Sequence, residues 1–404
     1  MHYRDYSCDV SVVIPIYKGE KFLKKTLNSI LNQNCTFKEL ILVDDNSPDN
    51  SWKITYEFFD NNSLDFDLKI VRHKKNHGAA YSYTHGAFLA ESKYVIFFDQ
   101  DDIAMKNMVE TLYKTIIKKN KEDKRYVIVV GGVIQIDEND DVINDKPIIG
   151  ENFSPDEFLA RLLVRNRGCR TGGMIVDANV FKNIGGFNPK IKSAMDWELC
   201  VRLTIKGYLV YFLDKPLLFY RRHKRNITSN VKIGIEDTRV IYRSIGLENV
   251  VKIVLNGFKD KCEAFYNYMM MFSLPGLNDE EFKAACKKAK EYYDGCKWHK
   301  DFLFLLSVCA LKEEDLTFAY EILNRVLSLD KNYASALNNL GCLEAMFGNW
   351  EKAKKLLNKA LELYPNYMDA KENLEIVKKG KTGKRVTYHF TYRPLRKTLT
   401  TYGT

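Results

Sequence analysis

Residues 10–47 read "VSVVIPIYKGEKFLKKTLNSILNQNCTFKELILVDDNS". Residues 10–17 are an almost unbroken apolar run, which suits a strand buried on both faces. Phe22, Leu23, Thr26, Leu27, Ile30 and Leu31 then fall at helical spacing, with lysines on the other face. "ELILVDDNS" (39–47) returns to a strand and ends in acids. Strand, helix and strand in so short a stretch predict a parallel pair joined by a crossover helix.

The alternation continues outward. "SPDNSWKITYEFF" (47–59) reads as a helix with Ser47 as N-cap and Pro48 at its first position. "DLKIVRH" (67–73), "YVIFFD" (94–99) and "YVIVVGGVIQI" (126–136) read as strands, and "GAAYSYTHGAFLAES" (78–92) as a helix. The predicted fold class is α/β, a Rossmann-like, mainly parallel sheet with helices on both faces. Such sheets bind ligands beyond the carboxyl ends of their strands. Asp44-Asp45 and the "DQDD" of residues 99–102 both sit at such ends, so they can face one crevice.

Each acidic end has two readings. Asp99, Asp101 and Asp102 are either an exposed turn, with Asp102 capping the helix that follows, or oxygen ligands for a hard cation. Asp44-Asp45-Asn46-Ser47 is either a turn held by its own side chains or a binding corner. Asp196 reads as the cap of "WELCVRLTIKG" or as a functional acid, and His223 in "YRRHKRN" as a surface residue or a ligand.

After about residue 240 the pattern becomes helical. Residues 333–366 carry Leu337, Leu340, Gly341, Ala353, Leu357, Ala360 and Pro365 at tetratricopeptide positions of a 34-residue period, with small residues where helices approach closely. Residues 299–332 match less fully, with Ser307 in place of the glycine, and 265–298 weakly. Glu344 stands where an aromatic is usual. The expected organisation is an α/β domain over 1–235, a helical connector over 236–298, an all-α tetratricopeptide-like module over 299–378, and a flexible basic tail over 379–404.

Composition excludes several classes. The 404 residues are 46% hydrophobic and 28% charged, which suits folded domains. The net charge is +10, and residues 378–404 hold eight Lys/Arg and no acid. A nucleic-acid enzyme shows basic patches across its body, so no nucleic-acid partner is expected. Neither GxGxxG nor GxxxxGK[ST] occurs. The nine cysteines include no CxxC and are expected to be reduced thiols of a cytoplasmic protein. No apolar leader is seen in "MHYRDYSCDV", and the apolar run 302–311 is about half the roughly 20 residues of a membrane span.

Taken in order, "SVVIPIYKGEKFLKKTLNSILNQ", "ELILVDDNSPDNS", "NHGAA", "FFDQDD", "GGFNP", "MDWELCVRL" and "YRRHKRNIT" resemble the family 2 glycosyltransferases of the GT-A fold, over about residues 9–230. The resemblance implies inverting transfer of a hexose or N-acetylhexosamine from a UDP-sugar to a hydroxyl acceptor, with Mn²⁺ or Mg²⁺ as cofactor. It implies that Pro15 and Tyr17 line the base pocket and that Asp45, beside Asp44, reads the base. It gives Asn76 and Gly78 donor contacts, turns Asp99 toward the ribose and makes Asp101 the chief metal ligand. Asp102 shares in donor or metal binding, and Asp99 and His223 complete the metal set. Arg221 and Arg222 meet the pyrophosphate, and Asp196 is the catalytic base. The segment "GCRTGG" (168–173) is expected on the acceptor side by position alone.

Three positions depart from the family pattern. Tyr83 and Thr84 stand where an Arg-Asn pair is common, and Met195 where an acid usually precedes the base. The acceptor is expected to be a surface glycan, a lipid-linked glycan or a protein. The helical repeats could hold a polypeptide acceptor, pair two subunits as a homodimer, or cover the catalytic domain. The basic tail could contact anionic lipid at the inner face of the plasma membrane. A non-catalytic scaffold of the same fold would lack the base or metal acids, and this chain keeps both.

Overall fold

The computed structural model describes residues 7–60, 64–223, 231–273, 278–380 and 386–395. The chain forms two compact units, Met1–Val250 and Val251–Thr404. The first unit thus runs past residue 235, where the sequence reading ends it.

The first unit is built on one nine-stranded sheet. β1 (Ser7–Ile16) pairs in parallel with β2 (Thr36–Asp44) and with β4 (Tyr94–Phe97), and β2 with β3 (Asp67–Arg72). Helices α1 (Leu23–Leu31), α2 (Ser51–Phe59) and α3 (Ala79–Leu89) make the crossovers. β5 (Ile103–Ala104), α4 (Met108–Glu122), β6 (Tyr126–Ile136), β7 (Val142–Ile148), α5 (Pro155–Val164), β8 (Met174–Asp177), α6 (Ala178–Asn183), α7 (Met195–Ile205), β9 (Leu209–Arg221) and α8 (Val231–Ile245) follow. The order is β3-β2-β1-β4-β8-β6-β9-β5, with β7 on β6. The expected parallel half is present. β8 enters antiparallel to both β4 and β6, so the sheet is mixed. Val10, Val12, Ile14 and Ile16 of β1 are fully buried against Leu23, Leu27 and Ile30 of α1, which is why the opening stretch reads as it does.

Three capping expectations are corrected. α2 starts at Ser51, not Ser47, because Asp44 Oδ2 accepts from Ser47 N–H at 3.1 Å and Asn46 takes a left-handed φ of 59°, which spends residues 44–47 on a turn. Asp102 caps no helix, since β5 intervenes and α4 begins at Met108. Asp196 lies inside the first turn of α7, whose N-cap is Ala194.

The second unit is helical. The pairs are α10 (Lys261–Phe272) with α11 (Asp279–Glu291), α12 (Lys300–Lys312) with α13 (Leu316–Leu329), and α14 (Ala334–Met346) with α15 (Trp350–Leu363); α16 (Met368–Lys378) closes the array. α9 (Leu247–Asn256) spans the division between the units. A β-carbon on Gly341 would stand 2.9 Å from Leu357 Cγ, so the glycine sets the close approach of α14 and α15. Glu344, the departure from an aromatic, is fully buried. It pairs with Lys352 Nζ at 2.6 Å and accepts from Tyr320 and Asn349, which tie three helical elements together. Burial works to raise its carboxyl, but these partners outweigh it and hold the group below the usual carboxylate range.

Two expectations about this unit change. Cys262–Cys296 and Cys286–Cys309 are disulfides with Cα separations of 5.5 and 5.6 Å, not free thiols. Partners 34 and 23 residues apart show no spacing signature, and helix packing alone brings them face to face. The cysteine argument for a reducing compartment loses its premise. Part of the tail read as flexible is docked: Tyr388 and Thr391 are buried. Lys381, Lys384, Arg385, Arg396 and Lys397, on which the membrane reading rests, lie outside the described residues. Among the described residues no helix is long and apolar enough to cross a membrane.

Candidate functional site

Strand register brings the acidic ends together. Ile16 pairs with Asp44 and Val13 with Phe97, so the residues after β1, β2 and β4 emerge on one edge. β8 pairs Met174 with Phe97, which delivers 168–173 to the same edge. β9 pairs Arg221 with Ile136 and, through β5, runs beside residues 101–104.

The "DQDD" loop is shared among these elements. Tyr83 Oη donates to Asp99 Oδ1 at 2.5 Å, and Thr171 Oγ1 reaches both Asp99 oxygens at 3.3–3.4 Å. Gln100 brackets Tyr17, accepting from its N–H at 2.8 Å and donating to its carbonyl at 2.7 Å. Asp101 Oδ2 lies 2.6 Å from His223 Nε2, which sets these two residues side by side. Asp102 is fully buried, and its Oδ1 accepts from Arg221 N–H at 2.9 Å. A β-carbon on Gly172 would stand 2.8 Å from Asp99 Oδ2 and 3.1 Å from Asp102 Oδ2. The glycine is therefore the floor on which the two carboxylates converge. Burial, and then the charge of Asp101, pushes the Asp99 carboxyl up to about 6 and drives that of Asp102 well above its ordinary value.

Tyr83, at a position where the resembled family commonly has an arginine, contacts Asp99 through its hydroxyl and brings no charge. Burial and Asp99 hold its phenol protonated, so it acts as a donor. Tyr83→Phe is expected to raise the donor KM about fivefold, the loss of about 1 kcal/mol of hydrogen bonding. An unchanged KM in steady-state assays would rule out this role.

Arg221 differs from its expected role. Its side chain is fully buried, donating to the carbonyls of Asp101 (2.8 Å) and Asp137 (2.9 Å), pairing with Asp140 at 2.5 Å and lying over the Phe22 ring. It props the loop from beneath and is not presented to a ligand. Arg222 is half-buried, with its N–H on the carbonyl of Ile136.

Asp196 sits half-buried in the first turn of α7. Burial pushes its carboxyl up to about 7; a 2.6 Å bond from Trp197 N–H opposes this, and the negative charge of Asp99 adds to it. The charge of Arg170 partly offsets this rise, which places this arginine of the "GCRTGG" segment within electrostatic reach of Asp196. The approach to α7 is fixed by Asp237 of α8, a residue the sequence reading placed outside the domain and missed. Buried at 2% exposure, it accepts from Lys192 N, Ser193 N, Ser193 Oγ and Ala194 N at 2.7–3.0 Å. Asp237→Ala is expected to cost about 1–3 kcal/mol by stranding these donors, and to lower kcat at least tenfold with little change in donor KM. Unaltered kcat in a folded variant would show that the loop holds itself.

At the other end of the edge, Asp44 is a turn-builder, salt-bridged to Arg72 at 3.1 Å. Asp45 is buried, with His77 N–H and Gly78 N–H donating at 2.7–3.0 Å and His73 Nδ1 at 2.8 Å. It thereby shapes the "NHG" turn, where Gly78 has φ 89°. Asn76 is exposed, Pro15 half-buried and Tyr17 38% exposed. His77 stacks on Tyr81 at 4.4 Å, giving an aromatic surface that no motif signalled.

Whether the acids suit a divalent cation can be tested on their packing. Among the described residues no three ligating side chains are gathered around one point. Cations of this class are commonly held by one or two carboxylates together with substrate phosphates. Asp99 and Asp102 supply two converging oxygens, and buried Asp102 Oδ2 has no hydrogen-bond partner. The donor set fits.

Comparison with known proteins agrees with this layout. "Glycosyl transferase family 2" matches residues 11–185, and "Tetratricopeptide repeat" residues 311–366. Glycosyltransferase GlyG of Streptococcus pneumoniae is 35% identical over 32% of this chain and 41% of its own length. Minor teichoic acid biosynthesis protein GgaB of Bacillus subtilis is 27% identical over 68% of this chain and 30% of its own. The chain spans less than half the length of the first curated relatives it matches. The crystal structure of S. aureus TarS 1–349 covers 92% of this chain and 91% of that one, at 17% identity and a TM-score of 0.43. With the acidic strand ends, the "DQDD" loop and Asp196 assembled on one sheet edge, residues 11–185 match the glycosyl transferase family 2 model, and residues 311–366 of the helical unit match the tetratricopeptide repeat.

Proposed function

We propose that the first unit transfers a hexose or N-acetylhexosamine from a UDP-sugar to an acceptor hydroxyl with inversion, Asp196 acting as general base. The observation that carries this is the Asp196 carboxyl, raised to about 7 and within electrostatic reach of Asp99 in the "DQDD" loop. A base poised near neutral pH both holds its charge and takes up a proton. As the hydroxyl attacks the anomeric carbon, Asp196 accepts its proton while the nucleoside diphosphate departs. One carboxylate opposite the leaving group suffices for a single displacement. Asp99 faces the ribose side, steadied by Tyr83 and Thr171, and Tyr17 and Pro15 flank the base. Asp101 with His223, and Asp99 with Asp102, would hold Mn²⁺ or Mg²⁺. When bound, the cation neutralises charge on the diphosphate.

The test is a panel of UDP-, GDP- and dTDP-sugars assayed for hydrolysis and transfer with Mn²⁺ and with Mg²⁺. Turnover of a UDP-hexose or UDP-N-acetylhexosamine, abolished by EDTA, is expected. Turnover of GDP-sugars alone, or turnover indifferent to EDTA, would contradict the assignment.

A further inference from the structure

Residues 386–395, "VTYHFTYRPL", lie across the helical unit in a manner the sugar chemistry does not explain. Their backbone is read by amide side chains. Asn373 of α16 accepts from His389 N–H at 2.8 Å and donates to its carbonyl at 2.9 Å. Asn339 of α14 does the same for Thr391, at 2.7 and 2.9 Å. Asn338 donates to the His389 carbonyl at 3.0 Å and accepts from Asn373 at 2.9 Å, while Ser335 Oγ accepts from Leu395 N–H at 2.9 Å. The three asparagines are fully buried. A carboxamide that pairs both the N–H and C=O of one residue recognises extended main chain without regard to its side chain.

Two side chains are also recognised. Buried Thr391 donates through Oγ1 to Asp369 Oδ2 at 2.6 Å and touches Tyr367 Oη, which is also buried. Arg393 donates to Ser273 Oγ and to the Met270 carbonyl, both at 2.8 Å, at the C-terminal end of α10, where a helix favours a cation.

We propose that this groove is a binding site for an extended polypeptide carrying a small hydroxylated residue two positions before a basic one, and that residues 386–395 are its built-in, displaceable occupant. Helical-repeat surfaces are suited to such ligands. A segment joined to α16 through residues 379–385 enjoys an effective concentration on the order of millimolar. A free peptide therefore competes poorly until the segment is detached or outbid. The inference stands independently of the donor assignment.

The experiment places a protease site within 381–385 of the full chain and follows a fluorescent peptide of residues 386–395. The cut chain is expected to release its fragment and take up the peptide saturably, at least a hundredfold more tightly than the uncut chain. Asn339→Ala in the cut chain, or Thr391→Val or Arg393→Ala in the peptide, is expected to weaken binding about tenfold or more. A fragment that never exchanges, or a cut chain that loses helical circular dichroism as the fragment leaves, makes the segment part of the core and overturns the proposal. Equal peptide binding by cut and uncut chains also overturns it. So does a doubled mass in light scattering that collapses on cutting, which would assign the groove to the tail of a second copy.

Discussion

Asp196→Asn is expected to lower kcat by about 10²- to 10⁴-fold, the usual worth of a positioned general base, with donor KM little changed. Its pH dependence makes the prediction specific. In the native protein, kcat should rise with pH on a limb of apparent pKa about 7, because only the ionised carboxylate accepts the proton. Stability runs the other way. The folded pKa is raised, whereas an Asp in the unfolded chain titrates near about 3.9. Between roughly pH 4 and 7 the folded state holds a proton the unfolded state has lost, so stability falls as pH rises through that window. The neutral amide removes this penalty. Asp196→Asn should therefore melt higher than the native protein at pH 8, with the difference vanishing below about pH 4. A variant that is inactive and also less stable at pH 8 would point to a structural acid. One that stays active would remove Asp196 from the mechanism altogether.

The second large effect is expected at Arg221. Arg221→Met should destabilise the first unit by about 3 kcal/mol, read as a lower urea midpoint, and should reduce donor turnover more than tenfold. The reasoning is one of stranded groups. The guanidinium is fully buried and supplies donors to the Asp101 and Asp137 carbonyls and to the Asp140 carboxylate. Removing one partner of a buried pair costs about 3–5 kcal/mol. Asp140 is one-third exposed and also paired with Lys25, which puts the expectation at the low end. Arg221→Lys should not rescue, because a single ammonium cannot reach three acceptors held in a planar fork. A loss under about 1 kcal/mol would mean that the "DQDD" loop does not depend on this prop.

The strands and helices of the parallel half were legible because their burial is periodic. Residues 10–17 lie in the sheet interior, and Leu23, Leu27 and Ile30 face it. Acids at the ends of β2 and β4 were legible as candidates because a buried run that ends in carboxylates needs a reason. What escaped was whatever depends on contact between distant segments. Gly172 and Thr171 carry no motif, yet β8 brings them against Asp99. Gln100 carries no motif signal of its own, yet it ties the segments that follow β1 and β4 together. Asp237 lies in a stretch that read as connector, and the disulfides join cysteines with no telling spacing.

Arg221 and the tail mark the boundary most clearly. The sequence by itself determined two folded parts, the alternation that makes an α/β sheet, the 34-residue helical period and the side chains able to do acid–base and cation chemistry. These follow from local periodicity and residue type, which a chain carries wherever it goes. Tertiary structure decided which way each group faces. It turned Arg221 from a ligand contact into a buried prop, left Asp102 Oδ2 without a hydrogen-bond partner rather than making Asp102 a cap, and seated residues 386–395 on buried asparagines. Orientation and burial arise only when segments far apart in sequence close around one another, so no window along the chain contains them.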